Sequence, residues 1–103
     1  MLLEVRAASR KTPRDGRFEI AEATARRLSA LGETMPFALE DAMGTARVER
    51  MACTCEKAGH TGGHEHVFLL SELLRAATPE RMYVLELEEG GSVRLTGAHE
   101  GLS

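Results

Sequence analysis

The chain has 103 residues, a net charge of −3 and four aromatic side chains: Phe18, Phe37, Phe68 and Tyr83. That length makes a single small domain, 1–103, which buries about 65% of the surface its unfolded chain exposes, with Leu, Val, Ala and Met filling most of the interior. No run approaches the ~18 apolar residues of a membrane span, and Met1-Leu2-Leu3-Glu4-Val5-Arg6 turns charged too early for a signal peptide. A membrane partner is therefore not expected, and the expected compartment is the cytoplasm, where thiols stay reduced.

Charge is unevenly spread. Residues 1–30 carry seven basic side chains against four acidic ones, whereas residues 31–103 carry six against twelve. Arg6, Arg10, Lys11, Arg14 and Arg17 thus form a basic N-terminal region suited to nucleic-acid phosphate or an acidic partner. A solvated, mobile loop is the competing reading of the same residues.

Helical spacing then appears at Ala21, Ala25, Leu28 and Leu31, with Gly32 as the stop. A second stripe, Leu70, Leu73, Leu74 and Ala77, has Ser71 as N-cap and Pro79 beyond its end. The runs 35–40, 46–55, 64–70, 82–87 and 92–96 read as strands, with turns expected at Met43-Gly44 and Gly90-Gly91. Pro36 predicts an edge strand. Met35, Met43, Met51 and Met82 read as core filler. Glu86, Glu88 and Glu89 read as a solvated hairpin end.

Two stretches read alike. Phe18-Glu-Ile-Ala-Glu is echoed by Phe68-Leu-Leu-Ser-Glu, and Met35-Pro-Phe-Ala-Leu-Glu by Met82-Tyr-Val-Leu-Glu-Leu. The expected fold is mostly β with two short α-helices: a small duplicated barrel whose unit of strand, helix and two strands is used twice. Repeat one covers about 1–49, repeat two about 50–97, and 98–103 forms a flexible tail.

An apolar pair opening a strand, a short helix ending near Leu31-Gly32 and a following hairpin resemble AbrB-like swapped-hairpin domains and related cradle-loop barrels. The tandem arrangement resembles the MraZ branch of that group. The resemblance implies a small barrel that binds DNA as a dimer or higher ring. The acidic body and the segment described next depart from that pattern.

That segment runs from Cys53-Thr-Cys55 through a Gly-rich stretch to His64-Glu-His66. Residues two apart in a strand share a face, so a hairpin over 50–55 and 64–70 sets Cys55 near His64 and Cys53 near His66. Facing Cβ atoms lie about 4.5–5.5 Å apart, close enough for two thiolates and two imidazoles to meet zinc at roughly 2.3 and 2.0 Å. The same alternation puts Phe68 and Leu70 beyond His64 and His66, so the metal is expected to extend the core face, with Val67 and Leu69 opposite. His60 is an alternative ligand, and His99 reads as an exposed tail residue. Buried apolar cysteines, surface histidines or a strained C-x-C disulfide are the competing readings. Iron is the alternative metal, although two cysteines and two histidines on strands favour zinc.

A closed four-ligand shell makes a structural zinc rather than a catalytic one, which would keep a place for water. Glu65 points away from the ligand face, Glu56 beside Cys55 is the remaining base, and the deaminase signature is absent. The expected function is a non-enzymatic zinc-binding recognition domain, regulatory or adaptor in role, with nucleic acid as one partner. A protein-interaction module, with homo-oligomers allowed, and a small zinc hydrolase or deaminase are the alternatives.

Overall fold

The computed structural model describes residues 1–52 and 65–98. Seven strands, two short α-helices and one 3-10 turn follow one another: β1 (Leu2–Ala7), α1 (Lys11–Asp15), β2 (Arg17–Ile20), α2 (Glu22–Ser29), β3 (Met35–Leu39), β4 (Ala42–Ala52), β5 (Glu65–Leu70), the 3-10 turn Glu72–Ala76, β6 (Met82–Leu87) and β7 (Val93–Gly97). They form a seven-stranded sheet in the order β1-β6-β7-β3-β4-β5-β2, curled into a nearly closed barrel. All neighbours are antiparallel except β3 and β7.

The barrel interior follows the period-2 alternation of the strands. Phe18 and Ile20 on β2, Val67 and Leu69 on β5, Ala46 on β4, Phe37 and Leu39 on β3, Tyr83 and Leu85 on β6, and Val93 and Leu95 on β7 all face inward. Phe18 and Tyr83 meet edge to face, their centroids 6.3 Å apart, which links β2 to β6 across the interior. The buried Tyr83 hydroxyl accepts the Thr78 N–H at 2.9 Å, so its polar tip is satisfied.

Helix α2 contributes Ala25 and Leu28, both fully buried, whereas Leu31 of the expected stripe lies beyond its end and is exposed. Its N-cap is Ala21, which has no capping side chain. Glu4 of β1 supplies one instead: Oε1 accepts the Ala21 N–H at 2.8 Å, and Oε2 accepts from Arg6 Nε at 2.8 Å. The contact joins β1 to the residue after β2, and these two strands are the ends of the sheet order. Burial raises the Glu4 pKa, but hydrogen bonds from the Ala21 N–H, Thr24 and Arg6 outweigh it and hold the carboxyl below its ordinary 4.5. A carboxylate at a helix N-terminus also gains from the helix dipole.

Several expectations need correction. The second helical stripe is a 3-10 turn: Leu74 N–H bonds to Ser71 O and Ala77 N–H to Leu74 O, both i to i+3. The turn runs for five residues between the Ser71 cap and extended Ala77. Ser71 does cap it, its Oγ accepting the Leu73 N–H at 3.2 Å. Met43-Gly44 is not a turn but part of β4, and the hairpin turns at Glu40-Asp41, where Glu40 takes φ 52. A Cβ on Gly44 would stand 3.2 Å from Leu73 Cδ1, a tight contact. Met43 is not core filler either; it is 79% exposed. Pro36 lies on an interior strand, yet it pairs only with Thr45 on β4, and the ladder to β7 begins one residue later at Phe37. The missing N–H of Pro36 therefore interrupts nothing.

The N-terminal region is not a loop throughout. β1 and α1 occupy most of it, α1 closing on Gly16 at φ 70. The order strand, helical turn, strand, strand occurs twice along the chain, in β2 to β4 and in β5 to β7. The pairing is not symmetrical, since β3 pairs with β7 whereas β6 and β4 are not neighbours. Residue 49, the expected repeat boundary, falls inside β4.

The largest correction concerns β5. Val67 and Leu69 face the core, 5% and 0% exposed, while His66, Phe68 and Leu70 lie on the outer face. β2 decides this, because Phe18 opposes Leu69 and Ile20 opposes Val67, and those four side chains share the interior. Leu69→Ala is expected to cost about 2–5 kcal/mol in chemical denaturation. Leu70→Ala, on the outer face, is expected to cost about 1 kcal/mol or less. Glu4→Gln tests the seam between β1 and α2. The Glu4 pKa is depressed in the folded state, so its stabilisation is present above pH 4.5 and is lost as pH falls through the folded value. Denaturation at pH 7 should show the variant about 1–2 kcal/mol weaker, with the gap closing in acid.

Candidate metal centre and basic connection

The outer face of β2, β5 and β4 is built in rows. Arg17 and Arg47 flank Leu70, Glu19 and Glu49 flank Phe68, and Met51 lies opposite His66. Phe68 at the centre of this face is only 9% exposed. Its cover is Arg17, whose guanidinium carbon lies 4.7 Å from the ring centroid. Arg17 Nη1 reaches 3.0 Å from Met51 Sδ, and Nη2 lies 3.6 Å from Asp15 Oδ2. The side chain thus runs diagonally over β5, its stem and planar head shielding an apolar ring. β5 is covered on both faces, as its sequence predicts, although the outer cover is an arginine.

His66 stands next to Phe68 on this face, their ring centroids 6.3 Å apart at 35°. Its Nδ1 is 2.9 Å from Glu19 Oε2. The carboxylate only accepts, so Nδ1 carries the proton in that contact. Both groups are partly exposed.

Of the residues that the sequence marks as ligands, His66 alone is described; Cys53, Cys55, His64 and the alternative His60 lie outside the described residues, as do Glu56 and His99. Among the described residues no three His, Cys, Asp or Glu side chains gather in a group suited to a metal. The register also corrects the expected pairing. Met51, not Cys53, opposes His66, and the last described pair is Ala52 with Glu65. The hairpin is offset by two residues from the expected one, so the parity of each face is kept.

The five basic candidates divide by environment. Arg6 pairs with Glu4 at 2.8 Å, and Arg17 covers Phe68. Arg10, Lys11 and Arg14 lie exposed on the connection between β1 and β2. Arg14 hydrogen-bonds Asp15 through Nε and Nη2; Arg10 and Lys11 form no ion pair among the described residues. Sequence reasoning missed Arg75 on the 3-10 turn, which donates from Nη1 to the Arg14 carbonyl at 3.0 Å and so adds a guanidinium beside them. No period or motif singles it out, because it reaches α1 only through the tertiary fold.

At the other end of the barrel wall, Arg50 grips Glu22 with two hydrogen bonds of 2.6 and 2.7 Å. Arg50, with Arg26 behind it, pulls the Glu22 pKa down to about 2. An open groove of about 260 Å³ lies between the end of α1 and the start of the 3-10 turn, lined in part by Asp15, Thr34, Arg47 and Glu72. Its mixed charges select no ligand class. No helix among the described residues is long and apolar enough to cross a membrane.

Comparison of the chain with protein-family models, with curated proteins and with solved structures gives no match. The reading below therefore rests on the residues alone.

Arg17→Ala should cost about 1–2 kcal/mol in thermal or chemical denaturation, because it bares Phe68 and removes the cation–π contact. Arg10→Ala, with no such duty, should stay within about 0.5 kcal/mol of the parent.

Proposed function

We propose that this chain is a non-enzymatic recognition domain, stapled by zinc at the β4–β5 hairpin and contacting nucleic-acid phosphate through the β1–β2 connection. The observation that carries the reading is the β4–β5 register, which keeps His66 at the Cys-bearing end of the hairpin, opposite a residue two before Cys53. Cys53, Cys55, His64 and His66 are the ligands assigned here. Their donor chemistry, two soft thiolates and two imidazoles, fits a structural zinc with a filled tetrahedral shell. When bound, the ion supplies a cross-link between two strands of a chain with few aromatic residues to pack.

Phosphate contact is assigned to Arg10, Lys11 and Arg14, with Arg75 beside them. Their exposure and their place on one connection support it. Arg6 and Arg17 are given structural duties instead. A regulatory or adaptor role follows from recognition without catalysis.

Fluorescence anisotropy with a labelled duplex across a salt series tests the partner. Each phosphate neutralised contributes a slope of about −0.9 in log affinity against log salt. The parent should show a slope of about −3, and Arg10→Ala with Lys11→Ala and Arg14→Ala together should flatten it. A salt-insensitive complex, or no complex, would remove the nucleic-acid assignment and favour a protein partner. Cobalt titration tests the metal: a sulfur-to-cobalt charge-transfer band that weakens in Cys53→Ser and disappears when Cys55→Ser is added is expected, and its absence from the parent would remove the zinc.

A further inference from the structure

We infer that Arg75 is the positioning residue of the basic connection, holding α1 on the 3-10 turn so that Arg10, Lys11 and Arg14 meet phosphate from one arrangement. The inference rests on the phosphate reading above and deepens it. Arg75 lies 61 positions from Arg14 in the chain, and only the tertiary fold brings the two together.

The connection between β1 and β2 is anchored at both ends and in its middle. At its start the Ala8 N–H donates to the Arg81 carbonyl at 2.9 Å, and the Ala8 carbonyl accepts the Glu80 N–H at 2.7 Å. Thr12 is buried, and its Oγ1 accepts the Ser9 N–H at 3.1 Å. At the far end the Ser71 N–H donates to the Gly16 carbonyl at 3.0 Å. Glycine permits that approach: a Cβ on residue 16 would stand 3.0 Å from the Ser71 carbonyl oxygen, and φ 70 disfavours a side chain there.

One carbonyl in this stretch needs a donor from outside. α1 ends at Asp15, so the Arg14 carbonyl has no helical residue four places on to bond. Arg75 Nη1 fills that place at 3.0 Å, while its Nε pairs with Glu72 at 3.1 Å. A cation beside the last carbonyls of a helix also has the favourable sign. The Arg75 guanidinium is thus committed to the connection's backbone and to Glu72, whereas Arg10 and Lys11 point no ion pair inward among the described residues. A surface already held in its binding arrangement loses less freedom on association.

Fluorescence anisotropy with a labelled DNA duplex across a salt series tests the role, using the parent, Arg75→Ala, Arg75→Lys, Arg10→Ala and Arg27→Ala. Removing a residue that touches phosphate takes about 0.9 off the salt slope, and that change is expected for Arg10→Ala. Arg75→Ala should weaken binding about 3–10-fold while keeping the parent's slope. Arg75→Lys, whose ammonium can still donate to the Arg14 carbonyl, should recover part of that loss. Arg27→Ala removes the same charge from an exposed site on α2 and should stay within about twofold of the parent. Hydrogen exchange of the free proteins gives a readout without nucleic acid. The Gly16 amide, bonded to the Thr12 carbonyl at 2.8 Å, should exchange faster in Arg75→Ala. Parent-like affinity in Arg75→Ala, a slope reduced as far as in Arg10→Ala, or unchanged exchange at Gly16 would each overturn the positioning role and leave the phosphate reading standing. A parent that binds no duplex would remove the phosphate reading and this inference together.

Discussion

β5 carries buried side chains on both faces, and their two covers differ in kind. Inside, Val67 and Leu69 meet Phe18 and Ile20 in the barrel core; outside, Phe68 lies under the Arg17 guanidinium. A strand between two neighbours has nowhere to turn an apolar side chain except into one of these covers. The inner cover stabilises through apolar area. The outer cover works through a long side chain that keeps its charge in contact with Asp15 while its stem shields an aromatic ring. Because β5 joins β4 to β2, both the Glu19–His66 contact and the β4–β5 register depend on it.

The second constraint is closure. A sheet whose end strands are left unpaired exposes backbone donors and acceptors, and a barrel limits that exposure by bringing the ends together. Here β1 and β2 are the ends, and the contacts between their neighbourhoods are few and chemically distinct: Glu4 on the Ala21 N–H and Phe18 against Tyr83. A carboxylate from one strand performs the capping that Ala21 has no side chain to provide. The same contact also fixes where α2 begins, so one residue serves both the helix and the seam.

Much of the fold was legible because it rests on local periods. The strands at 35, 65 and 82, the α2 stripe through Ala25 and Leu28, and the Ser71 cap all follow from alternation, 3.6-residue spacing or a polar cap. What could not be read depended on partners distant in the chain. Which face of β5 turns inward was decided by β2, not by His66 and Phe68 themselves. Gly44 looked like a turn, yet it lies within β4 and packs close to Leu73 of the 3-10 turn. The helix α1 was hidden in a basic segment with no apolar stripe, although Gly16 marks its end. The spacing behind the proposed metal ligands was plain in the sequence, whereas the contact of Glu19 with His66 was invisible until β2 and β5 were paired.

The proposed function joins two parts of this wall: the β4–β5 hairpin, where we propose a zinc staple, and the basic connection at the other end of β2. The zinc is the centre of that account. Native mass spectrometry of the purified protein, with and without a strong chelator, tests it most directly. The account predicts one zinc per chain and loss of folded structure when the ion is stripped. A metal-free chain that remains folded would contradict it.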